Sequence, residues 1–231
     1  METELLKCNC SDCVLKSLLF KHLTSNEMTD ICYHKTEKQY KKGEVIIEEG
    51  TLIENFVYLK EGLIKLFKRI DNNKSQIISI AKPFDFVSLL SVFSANTYNY
   101  CVSALEDSTV CIVDLNMIKD LIKHNGDFAL DIFEKMNQTS DTIIKSYLDR
   151  NRKNLRGRIA YILLYFSNDI YKNGTFEMPV SRKEIAELIE MTTENVIRVM
   201  SEFRKDKIIQ INGKEITILN KDMLNKISSA G

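Results

Sequence analysis

The chain has 231 residues, 44% hydrophobic and 28% charged, and its 32 basic and 32 acidic residues balance to zero net charge. This composition excludes a disordered chain and leaves room for one large domain or two ordinary ones around a sizeable core. No apolar run reaches the ~18 residues of a membrane span and METELLKCNC lacks the layout of a secretory leader, so a cytoplasmic protein with reduced thiols is expected.

Residues 1–13 are short, polar and cysteine-rich, and the N-terminal segment that carries Cys8, Cys10 and Cys13 is placed at 1–24. Ser25 to Cys32 reads as a helix, with Ser25 as its N-cap. From about Lys41 the texture changes to β. GEVIIEEG, NFVYLKEGLIKLFKRI, KSQIISIA and STVCIVDL are short β-branched or aromatic runs, punctuated by Gly43, Gly50, Gly62 and Asp71-Asn72-Asn73. Strands at this spacing predict an antiparallel roll of the jelly-roll kind over 25–125.

After Leu115 the period becomes helical. Asn116 to Lys123 predicts a short helix, and Asp127 to about Arg150 a long one. Phe128, Ile132, Met136, Thr139, Ile143 and Tyr147 form one continuous stripe on it. Such a stripe either lies on its own domain's core or packs against a twin in a homodimer, and its unbroken length favours the twin. The long helix and hinge are placed at 126–153. The basic cluster Arg150-Asn151-Arg152-Lys153 with Arg156 and Arg158 marks that hinge.

Residues 154–231 read as a winged helix-turn-helix, which makes the whole α+β. Ile159 to Phe166 is an apolar helix, and Asn173-Gly174 turns the chain. Ser181 and Glu184 form a capping box for a helix from Arg182 to Ile189. Glu190-Met191 makes the turn, and Thr192 caps a second helix running to about Asp206, with Val196, Val199, Met200 and Phe203 on its buried side. A hairpin closed by Asn212-Gly213 follows. From Asn151 onward there are 14 basic and 10 acidic residues, a mild positive bias that suits a modest footprint on double-stranded DNA.

Thr193, Glu194, Ile197 and Arg198 lie on the open side of the second helix, at the end that enters a major groove in this motif. Arg198 can bond guanine O6 and N7, Glu194 can accept from a cytosine amino group, and Ile197 can pack on a thymine methyl. Glu194 and Arg198 stand four residues apart, so an ion pair between them can hold the arginine upright. Ser181, Arg182, Lys183, Thr192, Arg204 and Lys214 are the expected phosphate contacts, which position the domain without selecting sequence.

In KKGEVIIEEG–NFVYLKEGLIKLF, ALEDSTVCIVDL and SRKEIAELIEMTTENVIRVM, the chain resembles the CRP/FNR superfamily of bacterial transcription regulators over essentially its whole length. Glu194 and Arg198 match the family's base-reading E-x-x-x-R. The resemblance implies a cyclic-nucleotide-binding-like roll, a homodimer joined along the long helix, a two-fold symmetric site with a TGA-like half-site core, and contact with RNA polymerase. It does not imply an enzyme, and a cupin-like metal set is missing because no H-x-H pair exists. Glu190 stands where the family often has glycine, and Ile197 where well-known members have a small residue.

Members that bind cyclic AMP carry a Gly-Glu pair and, further on, an Arg-Ser pair that holds the cyclic phosphate. Ser88 and Leu89, then Asn99 and Tyr100, replace them here, so no cation faces a cyclic phosphate. Phe86, Phe93, Tyr98 and Tyr100 either line an apolar pocket or fill the roll. Cys111 falls where oxygen-sensing members hold their distant iron–sulfur ligand, with Cys8, Cys10 and Cys13 as partners. The family's third N-terminal ligand position is Leu19. A cluster, a thiol switch, a zinc site and no role therefore all stay open, and the effector, small molecule or redox, is unassigned. His22, His34 and His124 are isolated.

Overall fold

The computed structural model describes residues 20–71, 74–83, 85 and 90–230. These residues form two compact units, and the division runs through the long helix between Thr142 and Ile143; residues Ile70–Ile77 group with the second unit.

The first unit opens with α1 (Ser25–His34). Its N-cap is Thr24, not Ser25: the Thr24 hydroxyl accepts from Glu27 N at 3.3 Å, and Glu27 Oε2 accepts from Thr24 N at 2.7 Å. The threonine wins because Glu27 stands three residues after it and closes a capping box. Two antiparallel sheets follow. One has the order β1–β7–β3, from Thr36–Tyr40, Ser108–Asp114 and Asn55–Glu61. The other has the order β2–β6–β4–β5, from Val45–Ile47, Cys101–Ala104, Ile64–Arg69 and Ser75–Ala81.

Gly62 turns the chain from β3 into β4 at φ +92°, where a Cβ would sit 2.6 Å from the Asp107 carbonyl and 2.7 Å from Ser108 Cα. Only glycine allows the strand corner to approach the start of β7 so closely. Phe56, Leu59, Ile64, Val102, Val110 and Val113 fill the space between the sheets. Tyr98 and Tyr100 are both buried there, with ring centroids 6.3 Å apart. Burial pushes the Tyr98 phenol up to about 12. Phe93 is exposed, and Phe86 lies outside the described residues.

Asp114 caps α2 (Leu115–His124) by accepting from Asn116 N at 2.7 Å and Met117 N at 3.2 Å. Asn125 opens α3 (Gly126–Asn151), its Oδ1 accepting from Phe128 N at 3.0 Å. The predicted stripe on α3 is not one face. Phe128 and Ile132 are buried in the core of the roll, so they are unavailable to a partner subunit. Met136, Thr139 and Ile143 are half-buried, and Tyr147 is exposed. A second row stands open beside them: Leu130, Phe133, Ile144, Tyr147 and Leu148, between 44% and 66% exposed. The histidines also differ from expectation, since His22 Nδ1 lies 2.8 Å from Asp131 Oδ2, on a carboxylate that also pairs with Lys21 at 3.1 Å.

The second unit is built on α4 (Leu155–Tyr165), capped by Asn154 and buried at Ile159, Ala160, Ile162 and Leu163. Its C-terminal end widens into a π-turn at Phe166–Ile170. Phe166, Tyr171 and Phe176 stack beyond it with centroids 5.4–6.4 Å apart. Next come β8 (Thr175–Glu177), α5 (Arg182–Ile189), α6 (Thr193–Lys205), β9 (Ile209–Asn212), β10 (Glu215–Ile218) and α7 (Lys221–Ala230). The wing has three strands, in the order β8–β10–β9, where two were expected. A three-residue strand such as β8 carries too short an alternation to read from sequence.

Candidate nucleic-acid interface

Local sequence chemistry sets both helices of the motif. Ser181 and Glu184 close the capping box of α5, with Ser181 N donating to Glu184 Oε2 at 2.8 Å and Glu184 N donating to Ser181 Oγ at 3.2 Å. Ile185, Leu188 and Ile189 are buried beneath it. The helix ends at Glu190, in the left-handed region at φ 56° and ψ 48°, and Met191 N donates to the Ala186 carbonyl at 3.0 Å. A glutamate thus takes the conformation that glycine adopts without cost. Thr192 caps α6, its hydroxyl accepting from Asn195 N at 3.3 Å.

Val196, Val199, Met200 and Phe203 bury one side of α6. On the other side Glu194 and Ile197 are exposed, Ile197 at 51%, and the Arg198 side chain is 58% exposed. Thr193 is half-buried at the first turn. The Glu194 carboxylate does not pair with Arg198. It folds back on the helix start, where its own backbone N–H and the Thr192 hydroxyl hold its carboxyl below the usual range. Free N–H groups at a helix N-terminus attract a carboxylate, which is why Glu194 turns inward. Arg198 turns the other way, Nη1 donating to Glu202 Oε1 at 2.6 Å.

Among the expected phosphate contacts, Ser181, Lys183, Thr192, Arg204 and Lys214 are all exposed. Lys183 leans on Glu187 at 3.9 Å. Arg182 is half-buried, and desolvation pushes its guanidinium below arginine's ordinary value. Lys214 stands at the wing tip after Gly213, which turns the chain at φ 62°; its carbonyl accepts from Met178 N at 2.9 Å, which ties the tip to the chain just past β8.

The basic hinge is more structured than its sequence suggests. Arg150 is buried and donates to Ser146 Oγ at 2.9 Å. Arg158 donates to the Lys153 carbonyl, two residues past α3, at 2.9 Å and to the Ile189 carbonyl at 2.9 Å, so one guanidinium caps the end of α5 and ties it to the chain after α3. Cations at helix C-termini satisfy orphan carbonyls and oppose the dipole. Lys153 donates to the Ser228 carbonyl on α7. Arg156 reaches Glu202 at 2.5 Å and Asp206 at 3.3 Å on α6 and lies 5.1 Å over the Phe203 ring. The motif's position thus depends on arginines that the sequence marks only as a basic hinge.

The cysteine candidates separate. Cys8, Cys10 and Cys13 lie outside the described residues, as do Ser88 and Leu89. Cys111 is fully buried in β7, in register with Glu37 of β1 and Tyr58 of β3. Its Sγ lies 3.8 Å from Glu37 Oε1, and burial pushes the thiol up to about 12. A cluster ligand is a thiolate, so a metal bound at Cys111 would have to displace the proton that burial holds on this sulfur. Among the described residues no three His, Cys, Asp or Glu side chains converge as metal ligands. Asn99 is exposed and Tyr100 buried. The nearby bases Lys68 and Arg69 pair with Glu49 and Glu48.

Residues 37–125 match the family described as Cyclic nucleotide-binding domain, and residues 157–227 the one described as Crp-like helix-turn-helix domain. The chain is 26% identical to the transcriptional activator protein anr of Pseudomonas aeruginosa, over 92% of this chain and 89% of that protein. It is 23% identical to the fumarate and nitrate reduction regulatory protein of Vibrio cholerae, over 92% and 87%. Its fold resembles FixK2 from Bradyrhizobium japonicum, with a TM-score of 0.75, 22% identity and coverage of 85% and 98%. It also resembles TTHB099, a CRP-family transcriptional regulator of Thermus thermophilus, with a TM-score of 0.73, 16% identity and coverage of 83% and 96%.

Proposed function

The chain belongs to the CRP/FNR family of transcription regulators, and from that premise we propose that it works as a homodimer reading a two-fold symmetric DNA site through α6. Arg198 takes a guanine, Glu194 a cytosine amino group and Ile197 a thymine methyl, with Thr193 at the groove edge. A TGA-like half-site core follows from the family's E-x-x-x-R. Ser181, Arg182, Lys183, Thr192, Arg204 and Lys214 hold the phosphates. The observation that carries this reading is a capped helix whose first turns present exposed Ile197 and Arg198 beside the wing.

The homodimer rests on the open row of α3. Leu130, Phe133, Asn137, Ser140, Ile144 and Tyr147 follow the alternating three-and-four spacing of a coiled-coil seam. Two such helices would cover side chains now 45–66% exposed at the four apolar positions. Phe128 and Ile132 are not part of this face. In this reading contact with RNA polymerase follows from family membership, and cyclic AMP is not the effector, because Asn99 and Tyr100 offer its phosphate no cation.

The test begins with selection of duplexes from a random-sequence library by the purified chain, followed by equilibrium binding. A two-fold symmetric consensus should emerge, and Arg198→Ala should flatten the preference at one guanine per half-site. An asymmetric consensus, or an unchanged preference in the variant, would overturn it.

A further inference from the structure

Glu202 divides its carboxylate between two arginines from two helices. Oε1 takes Arg198 Nη1 at 2.6 Å, and Oε2 takes Arg156 Nη1 of α4 at 2.5 Å. Arg156 is itself fixed, by Asp206 at 3.3 Å and by the Phe203 ring 5.1 Å below its guanidinium carbon. An exposed pair four residues apart on a helix is ordinarily solvated and weak. This one differs, because the carboxylate is clamped from outside the helix and is only 32% exposed, against 58% for Arg198.

We propose that Glu202 is a specificity-determining positioning residue: clamped by Arg156, it aims the Arg198 guanidinium at a base edge. The inference rests on the reading of Arg198 as a base reader. Two physical consequences follow. A guanidinium carries five donors in a planar fork, so an Nη1 engaged by Glu202 leaves donors free for guanine O6 and N7. A free arginine on the same helix can also swing to a phosphate, which holds any sequence equally. Glu202 opposes that swing, because its carboxylate attracts the guanidinium and repels the DNA backbone. Arg156 offsets that repulsion, so the trio of Arg156, Glu202 and Arg198 stays net positive toward DNA.

The experiment uses the full chain and the duplex it selects from a random library, with single-base variants of that duplex and a scrambled one. Binding is measured across a salt series for the wild type, Arg198→Ala, Glu202→Ala, Glu202→Gln, Arg156→Met and the double variant Arg198→Ala with Glu202→Ala. Arg198→Ala identifies the position that Arg198 reads. Glu202→Ala should narrow the preference there by about ten-fold and tighten binding to the scrambled duplex. Glu202→Gln, which keeps an acceptor, should fall between. Arg156→Met should narrow the same position although it removes a positive charge, a sign that charge counting does not give.

In the Arg198→Ala background, Glu202→Ala should change that preference by less than about two-fold, since it acts through the missing side chain. Circular dichroism confirms that each variant is folded, and Glu202→Gln serves if Glu202→Ala is not. An unchanged preference in both Glu202 variants, equal narrowing at every position, or the full effect persisting without Arg198 would overturn the inference. If Arg198→Ala changes the preference at no position, the base-reading assignment itself falls and takes this inference with it.

Discussion

Phe20 stacks on Phe128, their ring centroids 6.0 Å apart and their planes 25° from parallel, and Phe20 also meets the edge of Tyr58 at 6.4 Å. This contact seats the start of the long helix in the roll's own core. Ile132, one turn on, is only 2% exposed.

Charge substitutions on the two rows of the long helix should therefore separate. Ile132→Glu buries a carboxylate among apolar side chains and should destabilise the roll by roughly 3 kcal/mol or more. Phe133→Glu should keep native circular dichroism and halve the mass found by light scattering. A Phe133→Glu chain that stays dimeric would assign the interface elsewhere.

Glu190 holds a left-handed backbone that costs a non-glycine residue about 1–2 kcal/mol, while glycine costs about 0.5–1 kcal/mol in unfolded-state entropy. Glu190→Gly should therefore raise the denaturation midpoint by the equivalent of about 0.5–1 kcal/mol. A fall of that size would mean that the glutamate side chain contributes more than its backbone costs.

Gly62→Ala would place a methyl 2.6 Å from the Asp107 carbonyl, at a φ of +92°. That carbonyl and Ser108 Cα, 2.7 Å away, are both backbone and cannot swing aside, so the strand corner must move. A loss of about 2–3 kcal/mol or more is expected in urea denaturation. A neutral result would show that the corner relaxes freely.

The Cys111 thiol is pushed by burial to about 12, against an ordinary value of 9.0. As pH rises past 9 the unfolded chain loses this proton first, so stability should decline between pH 9 and pH 12. Cys111→Ala should make that decline shallower in urea midpoints measured from pH 8 to 10.5. At pH 8, iodoacetamide followed by peptide mass spectrometry should leave Cys111 unlabelled in the native chain. Prompt labelling would contradict its burial.

Lys214 stands exposed at the wing tip and should act on the phosphate backbone alone. Lys214→Ala should weaken binding to selected and scrambled duplexes alike and lower the salt slope by about one. A change confined to the selected duplex would instead place Lys214 on a base.

The motif was legible in the sequence because its signals are local. Ser181 with Glu184, Thr192 before α6, and the period of Val196, Val199, Met200 and Phe203 each lie within one or two helical turns. The three antiparallel runs of the wing were less so, since β8 has only three residues. Spacing alone does not single out the carboxylate that holds Arg198, for a related reason. Glu194 and Glu202 both lie four residues from it, and spacing treats them alike. The free N–H groups at the start of α6 draw Glu194 inward, while Arg156, far away in sequence, holds Glu202 in reach.

By itself, then, the sequence determined the helix-turn-helix, its caps, the β texture of the roll and the side of α6 that meets solvent, because hydrophobic period and capping act over a few residues. Only the tertiary structure decided which row of the long helix is spent on the roll, that the hinge arginines are clamps, that Cys111 sits dry beside Glu37, and which carboxylate holds Arg198. Each of those depends on a partner brought close by folding, and no local spacing encodes that approach.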